Sequence, residues 1–338
     1  MRTGRTNARA AGFTILELWV ALTITLVMAG LMLAITLSAL RFWRHQQALQ
    51  VQAATARQVF DLLERDLQAA TYRRDSNHWL AVDILDTVPA LANHGWLAGG
   101  LMKPAGGASL RPLPPADAGG GAKITAARFG LSGTWLRFVS THAESDGSLP
   151  VVVAYQLVRR PVIGDATTAN PAPSRYSLYR SVVSDAATLA NGYDLTSSAY
   201  GSTSNTPSSV FSTAYRQPRN VTNPSHANLL GSNVVDFGCW LYVRNTAREW
   251  VRIYPAETGD LSHQAVGQSL ANETRFPEVV DVMVRILSNE GAGIIAGVES
   301  GQMARPAGYA TDAAWWWSEV EANSRVFTHR IEIKATTP

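Results

Sequence analysis

From Leu18 to Leu40 the chain runs for 23 residues without a charge. As a helix rising about 1.5 Å per residue this stretch extends about 35 Å, enough to cross a hydrocarbon core of about 30 Å. The helical signal does not stop there. "RHQQALQVQAATARQVFDLLERDLQAATYRR" contains neither Gly nor Pro and is rich in Ala, Leu, Gln and Arg, all good helix formers. Within it Phe60, Leu63, Leu67 and Ala70 recur at spacings of three and four and draw one apolar stripe. The pattern predicts one helix from about Thr14 to about Tyr72, its first half in lipid and its second half packed on a domain. A free-standing helix on a membrane surface would need a strongly basic polar face, which this one lacks.

After Arg74 the period changes to alternation. Residues 134–140, 151–160, 175–183, 234–243, 249–255, 278–287 and 325–333 are rich in β-branched and aromatic side chains and predict short strands. Between them, 99–123 reads as a Gly/Pro/Ala loop, and 190–232 is dominated by Ser, Thr, Asn, Tyr and Gly. Structureless stretches of that length are uncommon in compact domains. The class is therefore α+β: a long N-terminal helix packed on an antiparallel sheet, with long loop insertions. "AAWWWSEV" (313–320) stands out, since three consecutive tryptophans cannot share one side of a strand. Trp315, Trp316 and Trp317 either form a contact surface for a partner or pack an insertion onto the sheet.

Charge narrows the class further. The chain of 338 residues carries 29 Lys and Arg against 26 Asp and Glu. The excess lies in Arg2, Arg5 and Arg9; removing the first twelve residues leaves 29 − 3 = 26 basic against 26 acidic side chains. Only three lysines occur, so an exposed strip for a phosphate backbone is not expected, and neither is a nucleic-acid partner. The arginines ahead of the apolar run favour a cytoplasmic N-terminus, although Arg41 and Arg44 just after it weaken the asymmetry. A cleaved secretory signal would have an apolar core of about 7–15 residues ending at a small-residue site, which does not fit; a plain signal anchor fits better. Cys239 is the only cysteine, so no intramolecular disulfide can form, and its strand-like neighbours make it a core residue.

Catalytic signatures are missing: HExxH, GxSxG, GxxxxGK and CxxC do not occur. The seven histidines are scattered, none three or four residues from another, and His78 and His329 read as surface or hydrogen-bonded structural residues. No EF-hand spacing is present, so calcium would need ligands distant in sequence. No enzyme activity, metal or other cofactor is expected. Binding or assembly remains.

One string is specific. "GFTILELWVALTITLVMAGLMLAI" places a glycine, a phenylalanine, a glutamate five residues after the glycine, and then an apolar helix. It resembles the N-terminus of type IV prepilins and type II secretion pseudopilins. The resemblance implies a leader over residues 1–12, cut between Gly12 and Phe13 by a membrane prepilin peptidase that then methylates Phe13. It implies a transmembrane helix over 13–40, a periplasmic half of that helix over 41–73, and a periplasmic β-rich pilin-like domain over 74–338. An isolated carboxylate in a membrane segment costs about 2.5–3.5 kcal/mol, so Glu17 needs a partner. The resemblance supplies the N-terminal amine of a neighbouring subunit for assembly; the alternative is an interfacial glutamate reaching the headgroups. "ARQVFDLLERDLQAA", "VVVAYQLVRR", "YSLYRSVV", "FPEVVDVMVRIL" and "VFTHRIEI" look most like the J-type minor pseudopilin or W-type minor pilins. The implied role is a structural subunit in the tip or initiating complex of a pseudopilus or pilus, serving protein transport from the bacterial inner membrane beside other minor subunits. The alternative is a pilus-displayed adhesin or DNA-capture subunit, which exposed aromatics interleaved with Arg on one face would favour.

Overall fold

A computed structural model describes residues 14–85, 124–130, 133–141, 149–161, 174–183, 185–195, 226–255, 262–267, 271 and 274–333. The chain divides into two units, Met1–Val51 and Gln52–Pro338. Helix α1, Ile15–Gln68, contributes to both.

In the first unit every described side chain from Thr14 to His45 is exposed. This part of α1 is long and apolar enough to cross a membrane.

In the second unit α1 buries Gln52, Ala56, Val59, Phe60, Leu63, Asp66 and Leu67, the stripe expected from the three-and-four spacing. The helix stops at Gln68, short of Tyr72, because the next backbone groups pair elsewhere. Thr71 N–H donates to Val139 O at 3.0 Å, and Ala70 bridges Ser140.

The strands are β1 (His78–Leu85), β2 (Gly133–Ser140), β3 (Val151–Pro161), β4 (Ser174–Val183), β5 (Leu229–Ser232), β6 (Val234–Arg244), β7 (Trp250–Tyr254), β8 (Ser262–Val266), β9 (Val279–Leu287) and β10 (Ser324–Glu332). They form two antiparallel sheets, ordered β5-β4-β3-β2-β1-β8 and β10-β9-β6-β7. Strand β6 lies against β2, β3 and β4, so the two sheets share one core. Cys239 sits in it, fully buried, and burial pushes its thiol well above the usual range. Gly238 is set by close approach: a Cβ there would come within 2.0 Å of the Phe129 ring. Phe129 itself is held by its N–H against the Asp236 carboxylate.

All seven expected strands form, as β2, β3, β4, β6, β7, β9 and β10. Three more, β1, β5 and β8, had no clear alternation to mark them. The stretch 99–123 lies outside the described residues, as does most of 190–232, apart from the short helix end 190–195 and the residues entering β5.

The segment between β9 and β10 is helical. Helix α2 (Asp185–Ala190) follows β4, whereas α3 (Asn289–Glu299) and α4 (Asp312–Asn323) form this insertion. Ser288 caps α3 by accepting from Gly291 N–H, and Thr311 caps α4 by accepting from Ala314 N–H, both at 3.1 Å. Trp315, Trp316 and Trp317 lie on α4, not on a strand, and are 2%, 2% and 4% exposed. At 3.6 residues per turn, helix neighbours fan out, and the three indoles find cover within the chain. Trp316 meets Tyr176 edge-on at 5.6 Å, and Arg128 covers the Trp317 ring at 4.4 Å.

Candidate functional site

The start of α1 is built by its own first turn. Thr14 N–H donates to Glu17 Oε2 at 2.9 Å, its hydroxyl donates to the same oxygen at 3.0 Å, and Glu17 N–H donates to Thr14 Oγ1 at 3.3 Å. This is a reciprocal capping box that satisfies two otherwise orphaned amides. The signal was in the sequence as "TILE", a Thr followed three residues later by Glu, and the reading of Glu17 as an assembly residue passed over it. Gly12 and Phe13, the expected cleavage and methylation residues, lie outside the described residues.

Beyond the cap, α1 offers only hydrocarbon. Trp19, Leu22, Leu26, Leu31, Leu33 and Ile35 are all at least half exposed. Three hydroxyls among them close on the helix itself: those of Thr23, Thr25 and Thr36 donate to the carbonyls of Val20, Ala21 and Met32 at 2.8–2.9 Å. A helix whose side-chain donors close on its own backbone suits a solvent without hydrogen-bonding capacity.

The second unit holds its helices with buried ion pairs. Asp66, fully buried on α1, takes Arg180 Nε at 2.7 Å and Nη2 at 3.1 Å and also accepts from the Tyr155 hydroxyl. Burial, then the carboxylate, raises the Tyr155 hydroxyl well above its usual range. Glu299, at the end of α3, accepts from Arg159 Nε at 2.8 Å, Tyr176 Oη at 2.8 Å and Trp316 Nε1 at 3.0 Å. Burial raises its carboxyl, and these donors oppose the rise. Asp83 and Arg137 pair across β1 and β2, where burial raises the acid and lowers the base. Each cluster ties two or more elements together and is closed over by protein. Asp66 and Glu299 are invisible to pattern reading because their arginine partners lie 114 and 140 residues away.

The histidines fall where expected: His78 Nδ1 meets Asp194 at 3.2 Å and His329 Nε2 meets Glu64 at 2.9 Å. Among the described residues no group of three or more His, Cys, Asp or Glu side chains is placed to hold a metal ion.

A further surface was not foreseen. On the face of the four-stranded sheet carrying Tyr242, three arginines stack on three rings. Arg244 lies 4.5 Å from the Trp250 centroid, Arg252 4.6 Å from Trp240, and Arg330 5.4 Å from Tyr242. Arg330 is also closed on Asp281 by two bonds of 2.6 and 2.8 Å. No single stretch signals this, because the six residues come from β6, β7 and β10.

In comparisons with known protein-family models, curated proteins and solved structures, the chain matches none.

Proposed function

We propose that the chain is a minor pseudopilin or minor pilin, anchored in the inner membrane by α1 and built into the tip or initiating complex of a short filament. One observation carries the reading. A single helix begins two residues after the Gly12–Phe13 step, carries Glu17 in its first turn, presents an exposed uncharged surface from Leu18 to Leu40, and then supplies a buried stripe to an α+β body. That is the arrangement the resemblance implies, with the body periplasmic and the N-terminus cytoplasmic. In this reading the Glu17 carboxylate, held by Thr14 in the lone chain, becomes the assembly contact when a neighbouring N-terminal amine arrives.

The test is processing. Intact-mass analysis of protein from a host carrying prepilin peptidase should show loss of residues 1–12 and gain of one methyl on Phe13. Retention of Met1 under those conditions sinks the proposal. Gly12→Val should block the cut by placing a β-branched side chain where close backbone approach is needed.

A second reading, a displayed capture subunit, is favoured by the arginine–aromatic face. For DNA that face is poorly suited, since Trp240 is almost wholly buried and Glu278 and Asp281 interrupt the positive charge.

A further inference from the structure

The arginine–aromatic face borders a sheet edge that no described strand extends beyond β7. Strand β7 ends the order β10-β9-β6-β7. It leaves β6 through a short hairpin in which Asn245 N–H donates to Glu249 O at 2.9 Å and Arg248 takes a positive φ of 62°. Hydrogen-bonded and non-bonded pairs alternate along antiparallel strands. If Asn245 and Glu249 are a bonded pair, then Arg244 and Trp250, the next pair in register, are not. The backbone N–H and C=O of Trp250 therefore point away from β6, toward the outer edge of the sheet, and those of Arg252 follow two residues on.

The side chains at this edge are cationic and pre-ordered. Trp250 is 42% exposed, and the Arg244 side chain covering it is 55% exposed. Arg252 is fixed over Trp240, and its buried Nε has no hydrogen-bond partner among the described residues. Arg275 N–H groups reach Arg244 O at 2.9 Å and Glu278 at 3.2 Å, which stiffens the cluster. Stacking on the rings holds the guanidinium forks before any partner arrives, so less side-chain entropy is lost on binding. Arginine with tryptophan is also the composition of protein-interface hot spots.

We propose that β7 is the landing edge for an extended acidic segment of a partner protein, which adds beside Trp250–Arg252 as a fifth strand and sets its carboxylates on Arg244 and Arg252. Main-chain bonds to an exposed edge supply affinity in this mode, and alternate side chains supply specificity. Carboxylates at every second residue recur about 6.6–7 Å apart on one face of such a strand. Nucleic acid fits less well. Its bases need open ring faces and its phosphates an unbroken cationic groove. Here Arg330 is already committed to Asp281, and Glu249 and Glu278 flank the arginines. The proposal does not depend on the pilin reading.

The experiment is a fluorescence-anisotropy titration of the full chain in detergent micelles against three labelled probes. These are a ten-residue peptide alternating glutamate with valine, its lysine–valine counterpart, and a ten-nucleotide single-stranded DNA. The acidic peptide should bind saturably below about 1 mM and at least about tenfold more tightly than the other two. Arg252→Gln should weaken it about tenfold with an unchanged melting temperature. Trp250→Pro should do the same, because an outward-facing edge position tolerates proline without losing a ladder bond. Equal binding of both peptides, no binding of the acidic one, or indifference to Arg252→Gln overturns the proposal. Tighter, steeply salt-dependent binding of the DNA overturns it in favour of a nucleic-acid surface.

Discussion

Two carboxylates sit near the two ends of α1 and meet opposite fates. Glu17 is exposed and turns back to cap Thr14, while Asp66 is fully buried and takes Arg180 and Tyr155. The helix around each follows suit. Every side chain from Thr14 to His45 is exposed, whereas seven between Gln52 and Gln68 are buried on one stripe. Backbone and helix propensity hardly differ between the two regions, so propensity cannot assign their surroundings. Periodicity can: an all-round apolar surface asks for lipid or other helices, and a stripe asks for a core of its own.

The contrast breaks most visibly at Asp66. Asp66→Ala should cost about 3–5 kcal/mol, because it leaves a buried guanidinium without its charge partner. Denaturant unfolding of the full chain in micelles, followed by tryptophan fluorescence, reads it, and Glu17→Ala should leave the same midpoint in place. Equal losses would erase the distinction. Leucines sharpen it next: Leu63→Ala should lower stability by about 2–5 kcal/mol, and Leu31→Ala, at an exposed site, by less than about 0.5 kcal/mol.

Acid should act on the second unit through His263. Burial lowers His263 from 6.5 to about 4, against a weaker upward pull from its bond to Arg275 O. The unfolded chain takes up that proton first, so the stability is complete above about pH 6.5 and is lost as pH falls toward 4. The loss amounts to about 3 kcal/mol. A plot of unfolding midpoint against pH should show this slope, and His263→Gln should flatten it. The smallest effect belongs to the cap: Thr14→Ala should loosen the first turn by about 0.5–2 kcal/mol. Faster amide exchange at Leu16 to Trp19, with no change in global unfolding, is the expected signature.

Much of this was legible beforehand, for physical reasons. The stripe Phe60, Leu63 and Leu67 and the seven alternating strands are local patterns, and each forms where the period places it, whereas Ala70 lies past the helix end and bridges Ser140. Strand β1 escaped because HWLAVDIL offers only two β-branched residues, Val82 and Ile84, to mark it. The tryptophans misled because they were weighed as a strand, whereas Thr311 and the run to Asn323 make a capped helix. The Asp66, Glu299 and Arg252 contacts could not be read at all, since each joins residues that only the topology brings together.

Spin labelling in lipid tests the division of α1 most directly. Nitroxides placed singly from Leu18 to Leu40 and from Gln52 to Gln68, in full-length protein in liposomes, report oxygen accessibility, with buried Cys239 silent in the background. The expected profile is high and free of helical oscillation across the first range, where every side chain is exposed. In the second it should oscillate every three to four residues, with minima at Ala56, Val59, Leu63 and Leu67. The same oscillation between Leu18 and Leu40 would contradict the division, because it would mean that this part of the helix also packs against protein.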